Sequence, residues 1–422
     1  MGAEVLLLVL LMSLTGAFMG AFTGLVPGIH VNTLAAIMLA SYPSLSSFIS
    51  GFSDPEVVPL LVSACIVSAS VVHSFLDFIP SVFIGAPDAD EALTMLPGHR
   101  LLMEGRGMVA VRAAAVGSVV GSFCAIVLAV PIQYVMLNGA ASVVENLTLS
   151  VVIFVSAVVI FSAEGLHGRA LATALFVASG ALGIVCAMPE MPSSGIIGEG
   201  TLLFPLLTGL FGMPPLLESA SSKGAPEQRD DEGDTIGPVP GIKGVVTGCI
   251  AGWFPGITAT AGAALSASVT REDDPEKFIS LVASIGTVTS VFSLVTLSVT
   301  GSGRSGTSAV IKEIIGDGLQ GFCSSDFVLL LIAMCIASAL GYIMTIAAGR
   351  GMSKLTERID SRKMNRTALA LILLLVLLMT GPCGMAVLAI STLLGLVPQS
   401  EGVSRIPLTG CLMIPVILNG LL

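Results

Sequence analysis

Gly16-Ala17-Phe18-Met19-Gly20-Ala21-Phe22-Thr23-Gly24-Leu25-Val26-Pro27-Gly28-Ile29 decides the fold, because its pattern returns as Gly244-Val245-Val246-Thr247-Gly248-Cys249-Ile250-Ala251-Gly252-Trp253-Phe254-Pro255-Gly256-Ile257. At an offset of 228 residues both copies read G-x-x-x-G-x-x-x-G-x-x-P-G-I, and an Asp-Pro-Glu follows each, at 54–56 and at 274–276. Self-similarity in matched order predicts a duplicated architecture. The first repeat is placed at 1–215, a polar acidic linker at 216–240 and the second repeat at 241–422. From Glu218 to Pro240 the chain is rich in Gly, Pro, Ser and acid, including Arg229-Asp230-Asp231-Glu232-Gly233-Asp234, as suits a solvated linker.

Outside the two motifs, 54% of the 422 residues are hydrophobic, 11% are charged and the mean hydropathy is +0.97. A water-soluble fold of this length would expose too much apolar surface. Apolar segments lie near Val5–Val26, Val31–Ile49, Val57–Ile84, Met108–Leu137, Leu147–Ser162, Ala170–Ala187, Ile196–Phe211, Val245–Val269, Phe278–Thr300, Val328–Ala348, Ala368–Thr380, Gly384–Leu396 and Ile406–Leu422. Many approach the ~20 residues that cross a bilayer as helix, whereas barrel strands would be ~10 residues with strict alternation. The expected fold is all-α: a multi-pass transmembrane bundle of about ten to twelve spanning or half-spanning helices, in two pseudo-symmetric, inverted repeats with broken helices, in the cell membrane. The first segment is preceded by Glu4 and no Lys or Arg, so it reads as a retained helix rather than a signal peptide. The clusters Arg350, Lys354, Arg358, Arg362, Lys363, Arg366 and Arg100, Arg106, Arg112 are expected in cytoplasmic loops.

A net charge of −10 argues against nucleic acid as a partner. The eight cysteines lie singly with no C-x-x-C pair, and the four histidines lack metal-ligand spacing, so neither a disulfide framework, a metal nor a cofactor is expected. No G-K-[ST] ending supports ATP hydrolysis, and no nucleophile is set clearly against a base, so an enzyme is not expected.

Glycine at every fourth position first reads as a helix face for close packing. The Pro-Gly that follows changes the weighing. Pro cannot donate a helical hydrogen bond and Gly takes conformations a helix does not use, so the helix must break at Pro27 and at Pro255. Broken backbone at membrane depth is tolerated where protein covers it or where it lines a wet cavity. A helix restarting after the break presents free N–H groups and a partial positive charge, which attract an anion. Pro27, Gly28, His30, Asn32 and Thr33, facing Pro255, Gly256, Thr258 and Thr260, are therefore the candidate substrate ligands at mid-membrane, as in broken-helix transporters. The plainer reading is a structural re-entrant break.

His73 and Asp77 share a helix face and read either as a coupling-ion or proton relay or as a stabilising pair before Pro80. Asp88, in the break from Gly85 to Glu91, is a candidate cation ligand, with a solvated loop as the plainer reading. Ser302, Arg304 and Ser305, in the Gly-rich run from Gly301 to Ser308, have the chemistry to cradle a carboxylate or phosphate, with a flexible loop as the alternative.

These residues resemble those of the large membrane subunit of tripartite tricarboxylate transporters, in its archaeal-type branch. The passages that carry the resemblance are Gly24 to Thr33, Gly252 to Thr258, and the run from Gly85-Ala86-Pro87-Asp88 through Leu96-Pro97-Gly98-His99-Arg100 to Glu104-Gly105-Arg106-Gly107. His30 and Asn32 stand where small and hydroxyl residues are more usual, and Pro97-Gly98-His99 differs from the usual Gly-Tyr-Pro. The resemblance implies a permease for carboxylates such as citrate, driven by H+ or Na+, with a small membrane subunit and an extracytoplasmic binding protein. A similar family with a Pro-Gly break moves polyprenyl-phosphate lipids, and its pattern fits Pro27 to Thr33 as well. A channel or structural subunit is the third reading; matched breaks in duplicated halves favour alternating access over it.

Overall fold

A computed structural model describes residues 3–26, 30–83, 95–188, 191, 195, 202–219, 226–229, 236–254, 259, 262–263, 266, 274–358 and 361–421. Among the described residues there is no β-strand, and seven helices are long and apolar enough to cross a membrane, so the all-α multi-pass expectation holds.

Helix α1 (Ala3–Leu25) stops just ahead of Pro27 and is followed by two short helices, α2 (Val31–Ala40) and α3 (Tyr42–Ile49). Next come α4 (Val58–Leu76) and α5 (Phe78–Phe83), a buried rod broken at Asp77. Pro80 accounts for the break, since it lacks an N–H and its ring crowds the carbonyl of Leu76, four residues back. After α6 (Met95–Met103), α7 (Gly107–Val135) passes without a loop into α8 (Ala141–Phe161). Their junction is a turn at Met136–Ala140 in which Asn138 leaves helical geometry and Gly139 takes φ 109°. Then α9 (Gly165–Ala187), α10 (Leu203–Leu207) and α11 (Met213–Ser219) lead to the acidic segment.

Beyond it lie α12 (Val239–Trp253), α13 (Pro275–Thr300), α14 (Gly306–Ile315), α15 (Ser325–Arg358), α16 (Ser361–Ser400) and α17 (Gly410–Leu421). One boundary differs from expectation. The basic cluster at Arg350–Arg366 is mostly helical, in the last turns of α15 and the first of α16, because Lys and Arg are good helix formers. Ala368–Thr380 and Gly384–Leu396 are parted, as expected, where Gly381 (φ 65°, ψ −158°) leaves helical geometry ahead of Pro382, so α16 is two helices joined across a kink.

The centre is built on α4 and α13. Each is flanked by a glycine-faced helix: α1 lies on α4, and α12 lies on α13. A Cβ at Gly16 or Gly20 would overlap the carbonyl oxygen of Cys65 or Ala69. A Cβ at Gly244 would lie 2.6 Å from the Leu281 carbonyl oxygen, and one at Gly252 would lie 2.5 Å from Phe292 Cβ. Lipid tails are as apolar as the side chains, so such close van der Waals approach, rather than expulsion of water, holds these helices together. The Asp-Pro-Glu copies also act alike: the Glu56 N–H donates to Asp54 Oδ1 at 3.1 Å, and the Glu276 N–H to Asp274 Oδ1 at 3.2 Å. Around this centre α15 packs on α4, α7 on α13, and α7 and α15 on each other. An outer group of α8, α9, α10, α11, α16 and α17 is joined by the same device, with Gly183 against the Cys411 carbonyl and Gly395 against that of Leu210. Val152, Val155 and Val159 of α8 share one buried cluster with Phe176, Met413 and, from α12, Ala251, which joins the two groups.

Within the stretch expected to be solvated linker, Pro226–Arg229 is seated on the α6–α7 corner. Gln228 is buried: its Oε1 accepts from the Gly107 N–H at 3.0 Å, and its Nε2 donates to the carbonyls of Leu102 (3.1 Å) and Pro226 (2.7 Å). The Arg229 N–H reaches the carbonyl of Gly105, whose φ of 77° suits glycine. Beside this corner Arg106 pairs with Glu276 at the start of α13. Gln228→Leu leaves those backbone groups without the side chain that satisfies them and is expected to cost about 2–3 kcal/mol, read as a fall in melting temperature in detergent.

Candidate functional site

The first motif ends α1, and the chain re-enters helix at Val31 behind His30. As N-cap, His30 is extended (φ −74°, ψ 150°), and its Nδ1 accepts the Asn32 N–H at 3.0 Å. Nδ1 stands at the same distance from the backbone as an Asn Oδ1, so an imidazole can serve where Asn or Asp usually caps. The side chain of Asn32 turns away from its own helix. Its Oδ1 accepts the Thr307 N–H of α14 at 3.0 Å, across 275 residues of sequence.

Gly306 explains how α14 comes so near: a Cβ there would lie 2.7 Å from Asn32 Cγ. Behind it Ser305 caps α14. Its Oγ accepts the Ser308 N–H at 3.2 Å while Ser308 Oγ accepts the Ser305 N–H at 2.8 Å, a reciprocal capping box. Ser305 Oγ also lies 2.9 Å from Thr307 Oγ1. Two helix N-termini thus meet, both positive ends of macrodipoles, and α14 packs against α2 and α4.

His73 joins this corner from α4. It is buried, and its ring meets that of His30 edge-to-face with centroids 5.1 Å apart. His73 Nδ1 is 3.0 Å from Thr23 Oγ1, whose own proton goes to the Gly20 carbonyl at 3.1 Å. His73 Nδ1 and Thr23 Oγ1 thus share one hydrogen bond, which ties α4 to the glycine-faced helix α1. Asp77, one turn on, is buried and caps α4, its N–H bonding the His73 carbonyl at 3.0 Å.

The described structure thus brings His30, Asn32, Ser305 and His73 into one cluster, with Asp77 one helical turn beyond. Arg304 and Ser302 belong to the loop ahead of α14 but engage other groups. Arg304 Nη2 is 3.9 Å from Glu145 Oε1 on α8, and the Ser302 N–H donates to Thr300 Oγ1 at 3.2 Å. Partial burial pulls the Arg304 guanidinium below its ordinary range, and the Glu145 carboxylate opposes that shift. Pro27, Gly28, Asp88, Pro255, Gly256, Thr258 and Thr260 lie outside the described residues, as does the Thr33 side chain. Beside the second motif, Ser266 Oγ donates to Thr247 Oγ1 at 3.0 Å. Thr23, Thr307 and Ser308 complete the cluster without having been singled out as ligands. The signal for the last two was the Ser305-x-x-Ser308 spacing, and for Thr23 a hydroxyl set between Gly20 and Gly24.

The chain matches the profile of the tripartite tricarboxylate transporter TctA family over residues 10–410. It is 27% identical over 316 residues to an uncharacterized protein of Methanocaldococcus jannaschii, covering 72% of each chain. No solved structure matches it.

Proposed function

Since the chain belongs to the tripartite tricarboxylate transporter TctA family, we propose that it carries an organic anion, a carboxylate such as citrate, through the cell membrane by ion-coupled transport. A multi-pass membrane subunit of a transporter is the part such a chain supplies; tripartite transporters add a small membrane subunit and a binding protein. The observation that carries the reading is the meeting of the N-termini of α2 and α14, tied together by Asn32. Two positive helix ends at one place, with hydroxyls of Ser305 and Thr307 beside them, suit a carboxylate.

In this reading the chain is two repeats, 1–215 and 241–422, and the anion lies at the breaks Pro27-Gly28 and Pro255-Gly256. His30, Asn32 and Thr33 would hold it from one repeat, and Thr258, Thr260, Ser302, Arg304 and Ser305 from the other. His73, Asp77 and Asp88 form the relay for the coupling cation, H+ or Na+. The matched glycine faces and the matched hydrogen bonds from the Glu56 and Glu276 N–H groups to Asp54 and Asp274 support the duplication.

The test is uptake in vesicles of the purified protein, with and without partner subunits. Labelled citrate is expected to accumulate under an imposed H+ or Na+ gradient, and labelled polyprenyl phosphate is expected not to cross. The double variant Gly28→Leu, Gly256→Leu should insert normally and lose uptake; undiminished uptake would remove the helix breaks from the site.

A further inference from the structure

His30 differs from an ordinary cap in one chemical respect. Ser, Thr and Asn caps accept through an oxygen that does not titrate near neutral pH, whereas imidazole does. Nδ1 of His30 accepts the Asn32 N–H only while it carries no proton. Imidazolium is a donor at both nitrogens, so turning the ring cannot restore the bond. A proton taken from water by Nδ1 breaks that one hydrogen bond, frees the Asn32 N–H, and sets a positive charge against the positive end of α2. His30 is half-buried.

We propose that His30 is a proton-operated helix cap that links proton binding to anion binding at the first helix end; the anion half of this rests on the transport reading above. Neutral His30 holds the first turn of α2 closed. Protonated His30 releases a backbone donor and adds a positive charge, and both changes favour an anion. By reciprocity a bound anion favours the proton, which is the linkage a proton–anion symporter needs.

Among the described residues the ionisable groups on the elements around His30 are few. The described elements packed on α2 are α1, α3, α4 and α14. Of these α1 carries only Glu4, near its far end; α3 carries Tyr42; α4 carries Cys65, His73 and, as its cap, Asp77; α14 carries Lys312 and Glu313, with Arg304 in the loop before it. Helix α2 itself carries none. The group in ring contact is His73, whose Nδ1 shares a hydrogen bond with Thr23 Oγ1.

Hydrogen–deuterium exchange tests it on the intact protein. Amides of the first turn of α2 are followed at about pH 7.5 and about pH 5, corrected for the chemical exchange rate. The wild type should lose about tenfold of its protection at the acid pH, the size of a lost cap. His30→Asn, whose amide oxygen caps without titrating, should show no step, and the exposed, distant His167→Gln should keep the full step. A step that survives His30→Asn, or a wild type without one, overturns the cap. Added citrate should move the midpoint of the step to higher pH, and a midpoint unmoved by citrate overturns the link to the anion. Failed uptake in vesicles with both exchange results intact would be a failure of the transport reading alone.

Discussion

Asn32→Asp is expected to leave the protein folded and to lower anion uptake about tenfold or more, the effect of little over 1.4 kcal/mol of repulsion. The replacement keeps an oxygen where Asn32 Oδ1 now accepts the Thr307 N–H, so the cap on α14 survives. A carboxylate near a helix N-terminus is itself stabilising, so the melting temperature should hold or rise. What changes is the charge facing the substrate. Vesicle uptake beside a thermal melt reads both effects, and undiminished uptake with an intact melt would place the anion elsewhere. Asn32→Leu makes the contrast, because it removes the cap and should lower both.

Gly117→Leu is expected to abolish stable folding. Helix α7 crosses α13 with Gly117 directly against Ser280, and a Cβ there would overlap the carbonyl oxygen of Ser280 and lie 2.7 Å from its carbonyl carbon. The obstacle is backbone, which cannot turn aside as a side chain can. Overpacking of this kind costs about 3 kcal/mol or more. The outcome should appear as loss of the monodisperse peak on size exclusion in detergent, with Gly117→Ala intermediate. A Gly117→Leu protein that elutes and melts like the wild type would mean that α7 and α13 do not approach as described.

The close helix crossings were legible in the sequence, because small residues at every fourth position map directly onto a face that lets backbone meet backbone. The ends of α1 and α12 were legible for a similar reason, since Pro27 and Pro255 cannot continue a helix. The partner of the first break was less so. The repeat aligns Pro27 with Pro255, but an internal offset identifies equivalent residues, not adjacent ones. Among the described residues the neighbour of Asn32 is Thr307, which has no counterpart in the repeated motif. Gln228 was hidden by composition: a segment of Gly, Pro and acid reads as solvated whether or not one amide in it finds three backbone groups to satisfy. The basic cluster was hidden because charge suggests a loop, although Arg and Lys propagate helix well.

The bond from Asn32 to Thr307 also sets a schedule for biosynthesis. A chain leaves the ribosome at roughly 5–20 residues per second, so the 275 residues between them take on the order of 15–55 s to appear. Until then the opening turn of α2 exists without the helix it caps, and the newborn first portion sits in the membrane with a polar amide awaiting its mate. Insertion of the early helices must therefore leave that corner accessible from one side, and α14 closes it only when nearly three quarters of the protein has been made.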